Sequence, residues 1–229
     1  MKLLAANSDA KTVKGLAEGW ITFIMYLAPS TVSVPHGGRN TCPWASKGCS
    51  AECLFFSGRG NMKNVMMARI NKTLMYFNDR PAFEKQLQED IDEAKRMAAR
   101  QKLKPCVRLN GTSDLNWKAT IAANPDIQFY DYTASVDRVM ENDLPNYHLT
   151  FSRKEDTPDD VVKKLLDAGK NVAVVFDRPG VTEWMGYPVI DGDKNDLRFL
   201  DPKGVIVGLK AKGKAKKDES GFVIQTQAA

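Results

Sequence analysis

The chain has 229 residues, of which 43% are hydrophobic, and a formal net charge of +5, so it can bury a substantial core in one large domain or two small ones. No apolar run reaches the roughly 18 residues that a membrane span requires, and Met1-Lys-Leu-Leu-Ala-Ala-Asn lacks the apolar segment of a secretory signal, so a soluble, cytosolic protein is expected. Four cysteines in that setting are expected as ligands, catalytic groups or buried small side chains rather than disulfides.

In chain order, the polar residues 1–15 read as an arm or edge element, and Trp20-Ile-Thr-Phe-Ile-Met-Tyr-Leu reads as a buried strand stopped at Ala28-Pro29. A cysteine-bearing loop follows. Helical patterns then cover about Asn61 to Phe77 and Pro81 to Gln101, the second opening on a proline suited to a first turn. From Pro105 the pattern alternates between strands (Pro105–Asn110, Ile127–Tyr132, Tyr147–Ser152, Asn171–Phe176) and helices (Asn116–Ala123, Ser135–Asn142, and one from Thr157, as N-cap, to Gly169). Beyond Asp177 only short strands are expected, at Tyr187-Pro-Val-Ile, Leu197-Arg-Phe-Leu and Gly204–Leu209. Met62, Met66, Met67 and Met75 follow helical spacing and are expected as core filler.

Alternating strands and helices predict an α/β fold with a parallel sheet. No Gly-x-Gly-x-x-Gly or Walker-type loop supports an open nucleotide-binding sheet. The expectation is therefore a TIM-barrel-like fold, a complete or partial β/α barrel, spanning residues 1–229 as one domain. Residues 1–15 would form its arm and residues 178–229 an irregular, strand-rich end. Barrel sites lie at the carboxyl ends of strands, which is where the cysteine loop falls.

Cys42, Cys49 and Cys53 lie within twelve residues as Cys-x6-Cys-x3-Cys, with Cys49 and Cys53 spaced for one face of a helical turn. A structural zinc ion closes with four protein ligands, whereas a 4Fe-4S cluster on three cysteines leaves one iron open. The triplet is thus read as an iron-sulfur loop after the first strand. Zinc is the alternative if His36 supplies a fourth ligand. Cys106, at the start of its strand, is four residues from Asn110 at the carboxyl end, about 3.3 Å each, and is expected to pack rather than ligate.

Strand parity places Val107, Leu109, Tyr147, Leu149 and Phe151 toward helices, and Arg108, Asn110, His148, Thr150 and Ser152 inward. For Asp131 the parity is open, because Tyr130 and Tyr132 flank it. An inward Asp131 would pair with Arg108, either as mutual satisfaction or as part of a ligand site. Asn110-Gly-Thr-Ser-Asp114 is a hydroxyl-rich turn in which Asp114 either meets a ligand or caps the next helix. Arg59, in Ser57-Gly-Arg-Gly60, either approaches an anion or belongs to a helix entry. Asp191-Gly-Asp-x-x-Asp196 lacks full calcium-loop spacing and reads as a turn. Six lysines, Lys203, Lys210, Lys212, Lys214, Lys216 and Lys217, either touch the phosphates of a nucleic acid or form a solvated stretch.

Leu27-Ala-Pro-Ser, Thr41-Cys-Pro with the two further cysteines, Ser57-Gly-Arg-Gly, Val107-Arg-Leu-Asn-Gly-Thr-Ser-Asp, Phe129-Tyr-Asp-Tyr-Thr, Thr150-Phe-Ser-Arg, Asn171-Val-Ala-Val-Val-Phe and Asp191-Gly-Asp together resemble the phage gene product 88 family, from the arm to about Lys212. That resemblance implies a phage origin, hence the cytoplasm of an infected host cell, and no particular reaction. More distantly, a cysteine triplet after the first strand resembles radical SAM barrels, whose usual Cys-x3-Cys-x2-Cys differs from the spacing here. The combined expectation is a redox-active 4Fe-4S protein, with S-adenosylmethionine as a possible ligand and Arg108, Asn110, Asp114, Asp131 and Arg153 near the open iron. A small-molecule ligand or electron donor would be its partner, and no membrane is involved. The alternative is a zinc-stabilised, non-catalytic module that binds nucleic acid or a host protein.

Overall fold

The computed structural model describes residues 1–53, 60 and 62–226. The N-terminal arm forms a short strand β1 (Leu4–Ala6) and a helix α1 (Ala10–Lys14), started by Asp9 and Thr12 in a reciprocal capping box. Strand β2 (Trp20–Met25) follows, and in the cysteine loop Ser46 caps a single-turn helix α2 (Lys47–Ala51). Two long helices, α3 (Lys63–Asn78) and α4 (Arg80–Arg100), lead to β3 (Lys104–Arg108). Then come α5 (Lys118–Ala122), β4 (Gln128–Thr133), α6 (Val136–Met140), β5 (Tyr147–Ser152), α7 (Asp159–Asp167) and β6 (Val172–Phe176). The last part holds β7 (Glu183–Trp184), β8 (Tyr187–Asp191), β9 (Ile206–Lys210) and β10 (Val223–Ile224).

The strands form one ten-stranded sheet in the order β1-β2-β3-β4-β5-β6-β9-β8-β7, with β10 added to the carboxyl end of β6. All pairs are parallel except β1 with β2 and β7 with β8. The pairing path has two ends among the described residues, so the expected barrel is not formed by strand pairing. The fold is a mixed α/β fold on a mostly parallel sheet. The two end regions meet through a side chain: Lys11, just after β1, reaches the Gly192 carbonyl at 3.1 Å and Asp193 at 2.8 Å, just after β8.

One sheet face is covered by helices. Phe23, Val107, Phe129, Leu149, Phe151, Val174 and Ile206 pack there against Phe83, Leu87, Ile91 and Ala98 of α4, Ile121 of α5, Val139 of α6 and Leu165 of α7. Each large side chain so buried contributes about 1.5–3 kcal/mol of transfer free energy. The opposite face carries Thr22, Cys106, Arg108, Tyr130, His148 and Thr150, and residues 195–201 lie over it, where Leu197 and Phe199 pack on Cys106 and Tyr130.

Leu197-Arg-Phe-Leu, expected as a strand, is instead a 3-10 turn over Arg198–Leu200. It turns Arg198 inward while Leu200 stays 51% exposed, an arrangement that no two-residue period gives. Thr157 is not the cap of α7: its hydroxyl accepts the Lys154 N–H at 2.9 Å, and Pro158 takes the capping position. Met75 packs against the core as expected, whereas Met62 is exposed.

Candidate functional site at the cysteine loop

The cysteine loop is fastened to strand ends. Thr41 donates its hydroxyl to the Ala28 carbonyl at 2.6 Å and accepts the Asp114 N–H on its own carbonyl at 2.8 Å, tying the loop after β2 to the turn after β3. Ser30, held in a left-handed backbone conformation at φ +47°, gives its N–H to Cys42 Sγ at 3.3 Å. The Cys42 thiol points at the Thr112 carbonyl, 3.8 Å away. On the other side, Glu155, after β5, accepts the Ser46 hydroxyl at 2.6 Å and the Gly48 N–H at 2.7 Å, while Ser46 caps the N–H of Cys49. A Cβ at Gly48 would lie 2.7 Å from both the Glu155 carboxylate and the Ser220 hydroxyl, so a larger residue there would displace those side chains.

All four cysteines are reduced thiols, and the three in the loop are partly buried. Burial pushes Cys42 upward, and the charge of Cys53 adds to it. Burial, then Cys53 and Cys42, push Cys49 up to about 12. Among the described residues, no group of three or more His, Cys, Asp or Glu side chains is arranged to hold a metal ion. His36, the expected fourth zinc ligand, is exposed on a separate 3-10 turn, Val34–His36.

Beneath the loop runs a polar chain. Asp114 accepts Arg138 Nη1 at 2.5 Å and the Ala134 N–H at 2.9 Å, and the Arg138 guanidinium lies 5.6 Å from the centre of the Trp44 ring. Burial raises the Asp114 carboxyl, with the Ala134 N–H and Arg138 opposing. Arg138 also reaches the Tyr147 hydroxyl at 3.4 Å, which donates to Asp131 at 3.1 Å.

Of the expected ligand residues, Asp114 lies beside the loop and contributes electrostatically to Cys42. Arg59 lies outside the described residues. Arg108 faces inward as its parity predicted, yet its partner is Asp196 at 3.1 Å rather than Asp131. Burial opposes the Arg108 charge, but Asp196 and the surrounding tyrosines outweigh it and hold the guanidinium firmly protonated. Asp131 lies on the helix-covered side, because β4 turns Tyr130 toward the opposite face and Phe129 and Asp131 away from it. Asn110, expected inward, is past the end of β3 and knits its own turn: its Oδ1 accepts Ser113 Oγ, the Leu115 N–H and Trp117 Nε1, all within 3.0 Å. Arg153 donates to the Gly221 carbonyl at 2.7 Å and sits over Trp184, pinning the C-terminal segment.

Cys106 is fully buried, 3.3 Å from the Thr22 hydroxyl, the packing role expected of it. The six lysines are exposed, and Lys212 is engaged by Asp193 at 2.7 Å. Sequence reasoning missed Trp44, Arg138 and Glu155 at the loop, along with Arg69, whose charge interacts with Cys53 and Tyr26. Only Trp44, as a loop aromatic between two cysteines, carried a signal that could have singled it out.

Fold and site together define an α/β protein with a three-thiol loop at the carboxyl rim of a mostly parallel sheet. The family model for Gene product 88 matches residues 1–226, and the chain belongs to that phage gene product family. Neither the curated proteins nor the solved structures contain a match to it. No helix among the described residues is long and apolar enough to cross a membrane.

Proposed function

We propose that this phage protein carries a 4Fe-4S cluster on Cys42, Cys49 and Cys53 and serves in electron transfer or redox catalysis. The observation that carries the reading is three reduced, partly buried thiols on one loop that hydrogen bonds fasten to the strand ends. Three cysteines are the ligand number of a cubane with one open iron, whereas structural zinc takes four protein ligands. The thiols would release their protons on binding iron, so uptake would be steeply pH-dependent. Such a group supplies one-electron chemistry and, with three protein ligands, an open iron.

The chain's own residues would do the rest. Ser30 donates a hydrogen bond to the Cys42 sulfur, which favours its thiolate. Glu155 and Ser46 fix the turn that carries Cys49. Trp44, Arg138 and Asp114 form the adjacent rim, where a small ligand would meet an aromatic face and a balanced ion pair. Anaerobic purification followed by iron and acid-labile sulfide assays tests the reading, and a colourless, iron-free protein would end it. Electron paramagnetic resonance of the reduced protein with and without S-adenosylmethionine tests the radical SAM likeness separately, since an unmoved spectrum removes that ligand and leaves the cluster.

A second reading, a zinc-stabilised module for nucleic acid, is favoured by the exposure of the lysines at 203–217. It requires zinc in the purified protein and binding that weakens steeply with salt.

A further inference from the structure

At the amino ends of β5 and β6, on the rim opposite the cysteine loop, lies a cavity of about 180 Å³ whose lining includes His148, Lys170, Asn171, Phe199, Asp201 and Lys203. We propose that this cavity is a binding site for a small phosphomonoester, its phosphate held by Lys170 and Lys203 with the buried charge of Arg198 behind them.

Three observations carry this. First, two lining side chains are incompletely used: His148 Nε2 and Asp201 Oδ2 are buried with no hydrogen-bond partner among the described residues, as are Arg198 Nε and Nη1 beside Asp201. Buried polar atoms are normally satisfied, so a group of them left without partners points to a ligand that supplies them. Arg198 is only 1% exposed, and its Nη1 stands 3.4 Å from Asp201 as an ion pair without a hydrogen bond.

Second, the charge balance is positive. Lys170 and Lys203 line the cavity together with one carboxyl, Asp201, whose charge is paired with Arg198, while Asp196 is engaged by Arg108 and Tyr130. Burial, then Arg198 and Lys170, push His148 down to about 4, so it is a neutral imidazole at pH 7 with a free ring nitrogen. Burial pushes the Asp201 carboxyl up to about 6, with Arg198 opposing and Asp196 adding. With Asp201 paired to Arg198, the two lining lysines are left to balance a doubly charged phosphate, which suits them better than a single carboxylate.

Third, the volume suits a small ligand: a cavity of about 180 Å³ has room for a phosphate with a short hydroxylated chain. The chain's hydroxyls would meet Asp201 and His148, which need a donor.

The test is calorimetric titration of the full chain with glycerol 1-phosphate, inorganic phosphate and glycerol, alongside the ¹⁵N resonances of the His148 imidazole. Glycerol 1-phosphate and phosphate should bind and move those resonances, and glycerol should do neither. Lys170→Gln combined with Lys203→Gln should weaken binding by about tenfold or more, while Lys163→Gln with Lys164→Gln, exposed on α7, should leave it unchanged. The proposal is overturned if wild type binds neither phosphate, if His148 does not respond, or if both double variants weaken binding equally. None of these outcomes depends on iron, so the cluster reading stands or falls apart from this one.

Discussion

Replacing Asp131 by Asn should remove a pH dependence from stability and leave the fold intact. Asp131 is fully buried, with its Oδ1 accepting the Asn110 N–H at 2.7 Å and its Oδ2 the Tyr147 hydroxyl at 3.1 Å. Burial pushes its carboxyl from 3.8 to about 7, against the pull of the Asn110 N–H, Arg108 and Arg138. Between those values the folded chain keeps a proton that the unfolded chain has released. This contribution to stability is therefore whole below about pH 3.8 and drains away as pH rises to about 7. At 1.36 kcal/mol for each tenfold in proton affinity, the total is about 4 kcal/mol.

Asn keeps the shape and offers a carbonyl to Asn110 and an amide to Tyr147, at a cost of about 1 kcal/mol for the exchanged hydrogen bonds. The Asp131→Asn protein should match wild type within that margin at pH 5 and exceed its stability by about 3 kcal/mol at pH 8. Urea unfolding of both proteins from pH 5 to 8 measures this. The difference between the two is the quantity to read, because His148 has the opposite sign. Its folded pKa of about 4 lies below the ordinary 6.5, so its contribution is present above 6.5 and lost as pH falls toward 4. Stability curves that stay parallel across the pH range would refute the burial argument for Asp131.

Asp196→Ala leaves Arg108 and the Tyr130 hydroxyl without their partner and should cost about 3–5 kcal/mol in urea unfolding, most of it recovered in Arg108→Met with Asp196→Leu. Cys106→Ala should cost about 1 kcal/mol; on the proposed cluster reading it should also leave the iron content of anaerobic preparations unchanged, while Cys42→Ala should abolish it. Gly111→Ala would place a Cβ 2.6 Å from Ile24 Cγ2 and the Met25 carbonyl, and the shift of β2 needed to relieve it should lower stability by about 1–3 kcal/mol in thermal melts. Glu155→Ala frees Ser46 and Gly48, so hydrogen exchange at Gly48 and alkylation of Cys49 should both accelerate, with a stability loss of about 2 kcal/mol.

The parallel strands were legible because β3 and β5 alternate apolar and polar residues on a two-residue period while β2 and β6 are short, nearly continuous apolar runs. Val107, Leu149 and Phe151 fall on the helix-covered face as that period requires, and Arg108 and His148 on the other. Asp131 was undecidable because tyrosines on either side suit both faces. β7 and β10 are two residues long, too short for any period to register. The misread Leu197-Arg-Phe-Leu alternates like a strand, but its arginine is the residue being buried. Asp196 escaped notice as the partner of Arg108 because 88 residues separate them, and only the fold of the 195–201 segment over the sheet brings them together. At the cysteine loop the three thiols were legible from spacing alone. Glu155 and Arg138 were not, since one follows β5 and the other sits in α6, and each looks like an ordinary surface charge in sequence.

That covering segment changes where a ligand of the cysteine loop can sit. In an unfilled barrel, inward side chains such as Arg108 would line a path toward the loop. Here Arg108 is bound to Asp196 and stacked 4.8 Å from the Tyr132 ring centre, while Leu197 and Phe199 fill the space beside it. Releasing that guanidinium would break a buried pair, at a cost of several kcal/mol that a small ligand would have to repay. A ligand at the loop therefore meets the rim residues Trp44, Thr112, Asp114 and Arg138 rather than the interior. Trp44 alone among these is substantially exposed, at 38%. Trp44→Ala should then weaken any ligand-induced change in the resonance spectrum of the reduced protein without lowering its iron content. Arg108→Met with Asp196→Leu should leave both unchanged.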